Sequence, residues 1–452
     1  MRAVHSGWFK AKMQKTNSLN LGSDNRWYAL LVFFSVSVFN YLDRTILSIL
    51  QVPVKHDLGL SDSQMGALTG LAFAVFYTTF SLPIARLADR TTRKVVIAVS
   101  LIVWSVMTAM MGLATSFAVL ALLRIGVAIG EAGSVPAVHS MISDYFPPER
   151  RATALSLWGL SLPIGMMFGF TMGGWLVANI GWRDAFLYIG VAGIFLAPLL
   201  LLTVREPQRG RYDLTPTDLP SVGGALRLLW SLRSFRLLAM AGGLNAYVQQ
   251  AMLAWNAPFY SRVFELPISR VGIYLALMHG VGGLIGVYCG GFFADRIGGR
   301  NSRGYLMVPA LGVLTVAPVG LIQYLTTNIH LSIVCGVITS AVVVFYFAPI
   351  VSAAHMLVLP RMRALTSAML VLIVNLVGVG LGPFVTGAIS DFLIRSYGLA
   401  AASLRYAIAS AMLVAVLSAI LWWRASLHFV GERNSVIEKS DVAQTPPKPA
   451  PI

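Results

Sequence analysis

Asp43 and Arg44 in one long apolar stretch, and Arg124 and Glu131 in another, are the Asp, Glu, Lys and Arg residues that lie away from the ends of this chain's apolar runs. A charge deep in a bilayer costs several kcal/mol unless it is paired or wet. Such groups therefore mark an ion or substrate path, or else a static ion-pair staple between helices. Arg124 and Glu131 are two helical turns apart, which puts them on one face about 10 Å from each other. With the two stretches antiparallel, Asp43 and Arg124 come level, Arg44 reaches either carboxylate, and Glu131 sits near the floor of a central cavity. The chemistry these types offer is proton exchange. Desolvation favours the neutral form of a carboxylate and a neighbouring guanidinium favours the charged form. A cavity opening alternately to two sides then loads and releases a proton. Glu131 is the first candidate for the carrier and Asp43 the second.

The elements that position these groups are spanning helices. Of 452 residues, 57% are hydrophobic and 12% charged, against roughly 25% charged in a soluble domain. Twelve apolar runs are each long enough to cross the roughly 30 Å of bilayer hydrocarbon. They cover about 27–50, 63–85, 95–116, 118–142, 152–177, 185–204, 236–260, 271–292, 304–325, 331–358, 364–388 and 402–423. The expected fold is an all-α membrane protein of two six-helix bundles. Residues 1–26 read as a cytoplasmic tail, 27–205 as the first bundle, 206–235 as a cytoplasmic linker with one amphipathic turn, 236–425 as the second bundle and 426–452 as a disordered cytoplasmic tail.

The net charge of +16 comes from 34 basic and 18 acidic residues. It is spread between the runs rather than gathered in one patch, so nucleic acid is not an expected partner. The loops on the side of the termini hold 17 Lys and Arg and the opposite loops hold six. By the positive-inside rule both termini are then cytoplasmic, in a plasma membrane that for a bacterium is the inner one.

A repeat divides the chain. Leu87-Ala88-Asp89-Arg90-Thr91-Thr92-Arg93-Lys94 is echoed by Phe293-Ala294-Asp295-Arg296-Ile297-Gly298-Gly299-Arg300, each copy closing the second helix of its half. Glycines recur four apart in the second, fifth, eighth and eleventh runs, as Gly66/Gly70, Gly165/Gly169/Gly173, Gly282/Gly286/Gly290 and Gly378/Gly382. That spacing provides close contact between moving halves, or ordinary tight packing in a static bundle.

Other polar and aromatic residues in the runs are candidates for the cavity wall or for interhelical hydrogen bonds and lipid-facing packing. They are Phe39, Tyr41, Asn245, Tyr247, Gln249, Gln250, Trp255, Asn256, His279, Phe345, Tyr346, His355 and Asn375. The histidines of the runs lie on separate helices without ligand spacing, so no metal is expected, and no cofactor beyond protons as coupling ion. The two cysteines, Cys289 and Cys335, read as apolar filler. An enzyme would need a nucleophile with a base in one span, and a channel a filter or a ring of charge; neither pattern occurs.

The doubled loop resembles the Gly-x-Leu-Ala-Asp-Arg-x-Gly-Arg-Lys signature of the major facilitator superfamily. Ala85 and Thr92 stand for the glycines in the first copy, whereas the second keeps Gly291 and Gly298. The resemblance covers about residues 27 to 425 and implies a cytoplasmic latch. Asp89, Arg93 and Asp144 are its first-half candidates, with Arg90, and with Asp295 and Arg296 in the second copy. Asn40-Tyr41-Leu42-Asp43-Arg44, Arg124 to Ala132 and Ser143 to Arg151 look more narrowly like the spinster branch, in particular a bacterial member. That implies transport of a lysolipid or sphingosine-phosphate-like amphiphile, proton-linked, by a monomer in the bilayer. The four buried charges match that branch's positions. The organic anion symporters share the Asp-Arg pair and the later Glu, so a small-anion symporter, or a multidrug exporter, stays as the alternative. Against it, the second half offers no buried Arg or Lys to pair with a small carboxylate.

Overall fold

The computed structural model describes residues 26–212, 222–359 and 362–444. The expected amino-terminal tail, part of the linker, Arg361 and the last eight residues lie outside the described residues. Everything described is helix, turn or short connection, and ten helical stretches are long and apolar enough to cross a membrane.

Two sequence features reconcile those ten with the twelve expected runs. Pro148–Thr203 is one helical stretch holding two spans, folded at Gly181, where φ is +83°. Glycine reaches that region without a Cβ clash, so the turn needs no loop. Arg233–Val263 is long enough to span but carries Asn245, Gln249, Gln250, Asn256 and three arginines, which lower its hydropathy. The first half is then α1 (Arg26–Leu58), α2 (Asp62–Arg90), α3 (Arg93–Met111), α4 (Phe117–Tyr145), α5 (148–180) and α6 (182–203). The second is α7 (Arg233–Val263), α8 (Ile268–Gly298), α9 (Gly304–Leu325), α10 (Ile329–Met356), α11 (Leu365–Tyr397) and α12 (Ser403–Gln444). The linker contributes a short helix, Val222–Ser231.

Local signals set the ends. Ser61 caps α2 in a reciprocal capping box with Gln64, Ser116 caps α4, Asn328 caps α10, and Pro148 opens α5 at a first-turn position where its missing N–H costs nothing. Residues 426–444 depart from the expected disordered tail. α12 continues through them, and its Glu432 accepts from the backbone N–H groups of Arg233 and Ser234 at 2.9 and 3.0 Å. A carboxylate placed there satisfies donors at the start of α7, and that gives the extension a reason to stay helical.

Within the halves, α1 packs on α5 and α3 on α4 and α6, while α12 packs on α7 and α9. The halves meet along α1/α7, α2/α11 and α5/α8. At α2/α11, a Cβ on Gly66 would run into the Pro383 carbonyl, and at α5/α8 one on Gly272 would meet that of Phe170, so both contacts are backbone to backbone. The four glycine series behave differently from one another. Only Gly66/Gly70 crosses between halves; the α5 series faces α1, the α8 series faces α10, and Gly378/Gly382 face α7. Four-residue spacing fixes that glycines share a helix face, not which neighbour that face meets. Three π-helical turns, Ala67–Leu71, Ala276–Val281 and Val374–Leu381, fall in α2, α8 and α11, all of them helices of the interface between halves.

Candidate functional site

α1 extends to Leu58, well past the apolar run that stops near residue 50, so Asp43 lies near the middle of its helix. Asp43 is 3% exposed and accepts a hydrogen bond on Oδ1 from the Thr108 hydroxyl of α3 at 2.5 Å. Its Oδ2 stands 3.8 Å from Nη1 of Arg124 on α4, too far for a hydrogen bond. Arg44 turns the other way and donates Nε–H to Oε2 of Glu131 at 2.6 Å. Its guanidinium lies 4.7, 4.9 and 5.6 Å from the ring centres of Phe73, Tyr77 and Tyr41, and Phe73 also faces Arg124 at 5.0 Å. Aromatic faces are the apolar surface that an arginine tolerates best.

Glu131 is fully buried and ends the first segment of α4, which breaks at Ala132 and Gly133 before resuming at Ser134. Helix breaks are tolerated at membrane depth where they face protein or a cavity rather than lipid. Oδ2 of Asp43, Oε1 of Glu131, Nε of Arg124 and Nδ2 of Asn40 have no hydrogen-bond partner among the described residues. Both carboxylates thus keep one oxygen open to a proton.

Arg44 and Arg124 open onto a cavity of about 320 Å³ between the halves. Its first-half wall carries Tyr41, Thr45, Ser48 and Thr69, and its second-half wall Leu253, Tyr346, Ile350, Leu370 and Val374, with Gln249, Gln250, Ser367 and Asn375 as polar exceptions. Of the cavity candidates named above, Tyr41, Gln249, Gln250, Tyr346 and Asn375 line it. The others are occupied elsewhere. Phe39 faces α6 at Gly193, and Phe345 fills the space left by Gly290 and Gly312. Tyr247 presents its carbonyl to Gly382 on α11, and the Trp255 indole donates to the Pro383 carbonyl. Asn245 donates to the Val343 carbonyl at 2.7 Å, where α10 is interrupted. His279 is held by Asn256 at 3.1 Å and stacks on Phe170, and His355 pairs with Ser367. Each of these has a local partner that polarity and position alone cannot reveal.

At the face carrying the termini, Arg93 bonds Asp144 at 2.5 Å, Ser140 at 2.8 Å and Glu206 at 2.8 Å. Glu206 also accepts from the backbone N–H of Arg93 and of Lys94, at the start of α3. Among the described residues Asp89, Arg90 and Arg296 make no ion pair, and Asp295 accepts from the Tyr305 hydroxyl. The expected latch therefore contains Arg93 and Asp144 without Asp89, and Glu206 takes a place the sequence did not signal. All of these contacts stay within the first half and the start of the linker.

The opposite, distal face is tied across the halves by a second charge cluster that the sequence reading placed in loops. Asp62, fully buried at the start of α2, pairs with Lys55 at 2.5 Å and with Arg262 of α7 at 2.9 Å, and it accepts from Ser390 of α11 at 2.7 Å. Asp391 of α11 accepts the backbone N–H groups of Asp62 and Ser63 at 2.9 and 2.8 Å, so one half caps a helix of the other. Gln51 adds a bond from α1 to the Ala254 carbonyl of α7. The cavity lies on the terminal side of all these contacts.

The model of the Major Facilitator Superfamily matches residues 33–383. An "MFS-type efflux pump" of Mycolicibacterium smegmatis is 34% identical over 424 residues, 93% of this chain and 96% of that one. A "probable galactarate/D-glucarate transporter" of Bacillus subtilis is 35% identical over 190 residues, 41% of this chain and 42% of that one. The crystal structure of a bacterial homologue of the human lysosomal transporter spinster, in an inward-facing and unoccupied conformation, superposes with a TM-score of 0.82 at 30% identity, covering 91% of this chain and 99% of that one. Two six-helix halves around a central cavity, together with these likenesses, make the chain an integral membrane transporter that belongs to the Major Facilitator Superfamily and resembles its bacterial spinster branch.

Proposed function

We propose that the protein is a proton-coupled carrier of an amphiphile of the lysolipid or sphingoid-phosphate kind, working by alternating access as a monomer in the inner membrane. The observation that carries this reading is the asymmetry of the cavity. One wall holds the Arg44 guanidinium, whose Nη groups make no hydrogen bond among the described residues, and the facing wall is mostly aliphatic with no cation. An anionic headgroup fits the first and an acyl chain the second. With both termini cytoplasmic, the tied distal face is extracytoplasmic and the cavity faces inward. Asp43 and Glu131 are the proton-carrying pair, each with one carboxylate oxygen free of a partner among the described residues.

A second reading, a symporter of small organic anions, draws on the likeness to the galactarate/D-glucarate transporter. Against it, the cavity's second cation, Arg124, stands on the same wall as Arg44 and faces Asp43, so the facing wall has no cation to clamp the far end of a dianion. The efflux pump among the relatives favours export, in exchange for protons, under the amphiphile reading.

The test is an uptake screen in proteoliposomes with lysophospholipids, sphingoid phosphates and short dicarboxylates, using wild type and Glu131→Gln. Proton-driven movement of the amphiphiles that is lost in Glu131→Gln is the expected result. Transport of the dicarboxylates alone would sink the amphiphile reading, and undiminished pH-dependent transport by Glu131→Gln would remove that residue from coupling.

A further inference from the structure

Most threonine hydroxyls in these helices turn back on their own backbone. Thr45 bonds the Tyr41 and Leu42 carbonyls, Thr69 that of Met65, Thr79 that of Val75, and Thr366 that of Met362. In hydrocarbon this is the default, because the donor has nowhere else to go and the carbonyl of the preceding turn is always in reach. Thr108 departs from the default. Its hydroxyl leaves α3 and donates to Oδ1 of Asp43 on α1 at 2.5 Å, from a position 1% exposed.

The other partners of Asp43 make that bond decisive for the geometry of the carboxylate. Arg124, its charge partner on α4, stands 3.8 Å away, and Oδ2 has no hydrogen-bond partner among the described residues. Arg44, the next residue on α1, is committed to Glu131 at 2.6 Å and stacks among aromatic rings. α5 presents Gly165 and Gly169 to α1 at this depth, and these bring no donor. Thr108 is thus the one protein group among the described residues that hydrogen-bonds the Asp43 carboxylate. It fixes the rotation of that carboxylate so that Oδ2 points toward Arg124.

We infer that Thr108 is a positioning residue for proton coupling: it holds Asp43 with one oxygen occupied and the other presented for protonation. This rests on the proton-coupled reading above. The donated bond favours the ionised carboxylate. Removing it shifts the protonation of the site toward higher pH, and restoring any hydroxyl at that point restores the setting. The groups that face Asp43 and stay in place in either case are Arg124 and Glu131 from α4 and Arg44 from α1 itself. A hydrogen bond to a charged group contributes enough to move a titration by about one pH unit.

The experiment needs no knowledge of the substrate. Spin labels on exposed residues at the terminal ends of α2 and α8, in a background without Cys289 and Cys335, report the separation of the two halves in lipid nanodiscs as pH is varied. Wild type, Thr108→Val, Thr108→Ser and Asp43→Asn are compared, with thermal melts of each. The expected result is a pH-dependent distance distribution in wild type and a midpoint about one unit higher in Thr108→Val. Thr108→Ser should return the midpoint to that of wild type, and Asp43→Asn should flatten the response. A Thr108→Val midpoint equal to that of wild type overturns the role of Thr108 and leaves proton coupling standing. A wild type whose distances do not respond to pH overturns the proton-coupled reading and this inference with it. If Thr108→Val fails to fold, a Thr108→Ala midpoint unchanged from wild type overturns the inference in its place.

Discussion

Arg93 illustrates how much one side chain carries at the terminal face. It is 2% exposed and tied to Asp144, Ser140, Glu206 and the Pro207 carbonyl, so it joins α3 to α4 and to the start of the linker. Removing one member of a buried pair leaves the other uncompensated, which costs about 3–5 kcal/mol. Arg93→Gln is therefore expected to lower the melting temperature markedly in detergent or nanodiscs. Arg90→Gln, three residues earlier and without an ion pair among the described residues, should stay within about 0.5 kcal/mol of wild type. Equal effects of the two would show that the loop acts through its net charge rather than through these bonds. Glu206 was hidden in the sequence because it follows the last apolar residue of α6 and reads as an ordinary linker charge. Only the fold brings it back over the start of α3.

At the scale of the element, irregular helices are compensated by side chains from their neighbours. α10 is interrupted at Val343 to Tyr346, which turns Tyr346 into the cavity and leaves the Val343 carbonyl to Asn245. Asn245→Leu removes that donor from a fully buried site and should destabilise the protein by about 1–3 kcal/mol, read as a shift in thermal unfolding. Cavity binding is left intact, since Asn245 does not line it; a selective loss of ligand binding without a stability change would contradict this assignment. What the sequence disclosed follows the same logic. Helix number, order and the two halves were legible because apolar length and a repeated loop are local signals. That the four buried charges meet was legible because Asp, Glu, Lys and Arg are rare inside a membrane; which carboxylate Arg44 takes was left open by the sequence and depends on its rotamer. The fate of Trp255, His279 and Phe345 was not, since whether a polar or aromatic residue meets the cavity or a neighbouring helix depends on rotation of the helix about its axis. The extension of α12 was hidden too, because the sequence turns polar after Val430; its first turns pack through buried Ala425 and Phe429, and the polar part is fastened by the cap that Glu432 makes on α7.

Considered as a whole, the molecule is closed at its distal face by bonds that bridge the halves and rest mainly on two acidic residues. Asp62 and Asp391 together engage α1, α2, α7 and α11. Opening that face must break the Asp62–Arg262 pair and strip the Asp391 cap from α2. Asp391→Asn, which weakens the cap while preserving shape, is expected to raise the population open at the distal face several-fold. The measurement is the labelling rate of a cysteine introduced at Thr69, which lines the cavity beyond the lock, by a membrane-impermeant reagent added from the distal side. An unchanged rate would place the lock in the backbone contacts at Gly66 and Gly272 instead. Glu432 has a practical consequence of another kind. Because α12 continues as a rod to Gln444 and reaches back to the start of α7, a reporter or affinity tag joined after residue 444 stands about 30 Å beyond Arg424 on a stiff mast, at 1.5 Å per residue. One joined before residue 432 would cut away the clasp and loosen the second half. The choice of fusion point thus decides whether a tag reports on the native carrier or on a frayed one.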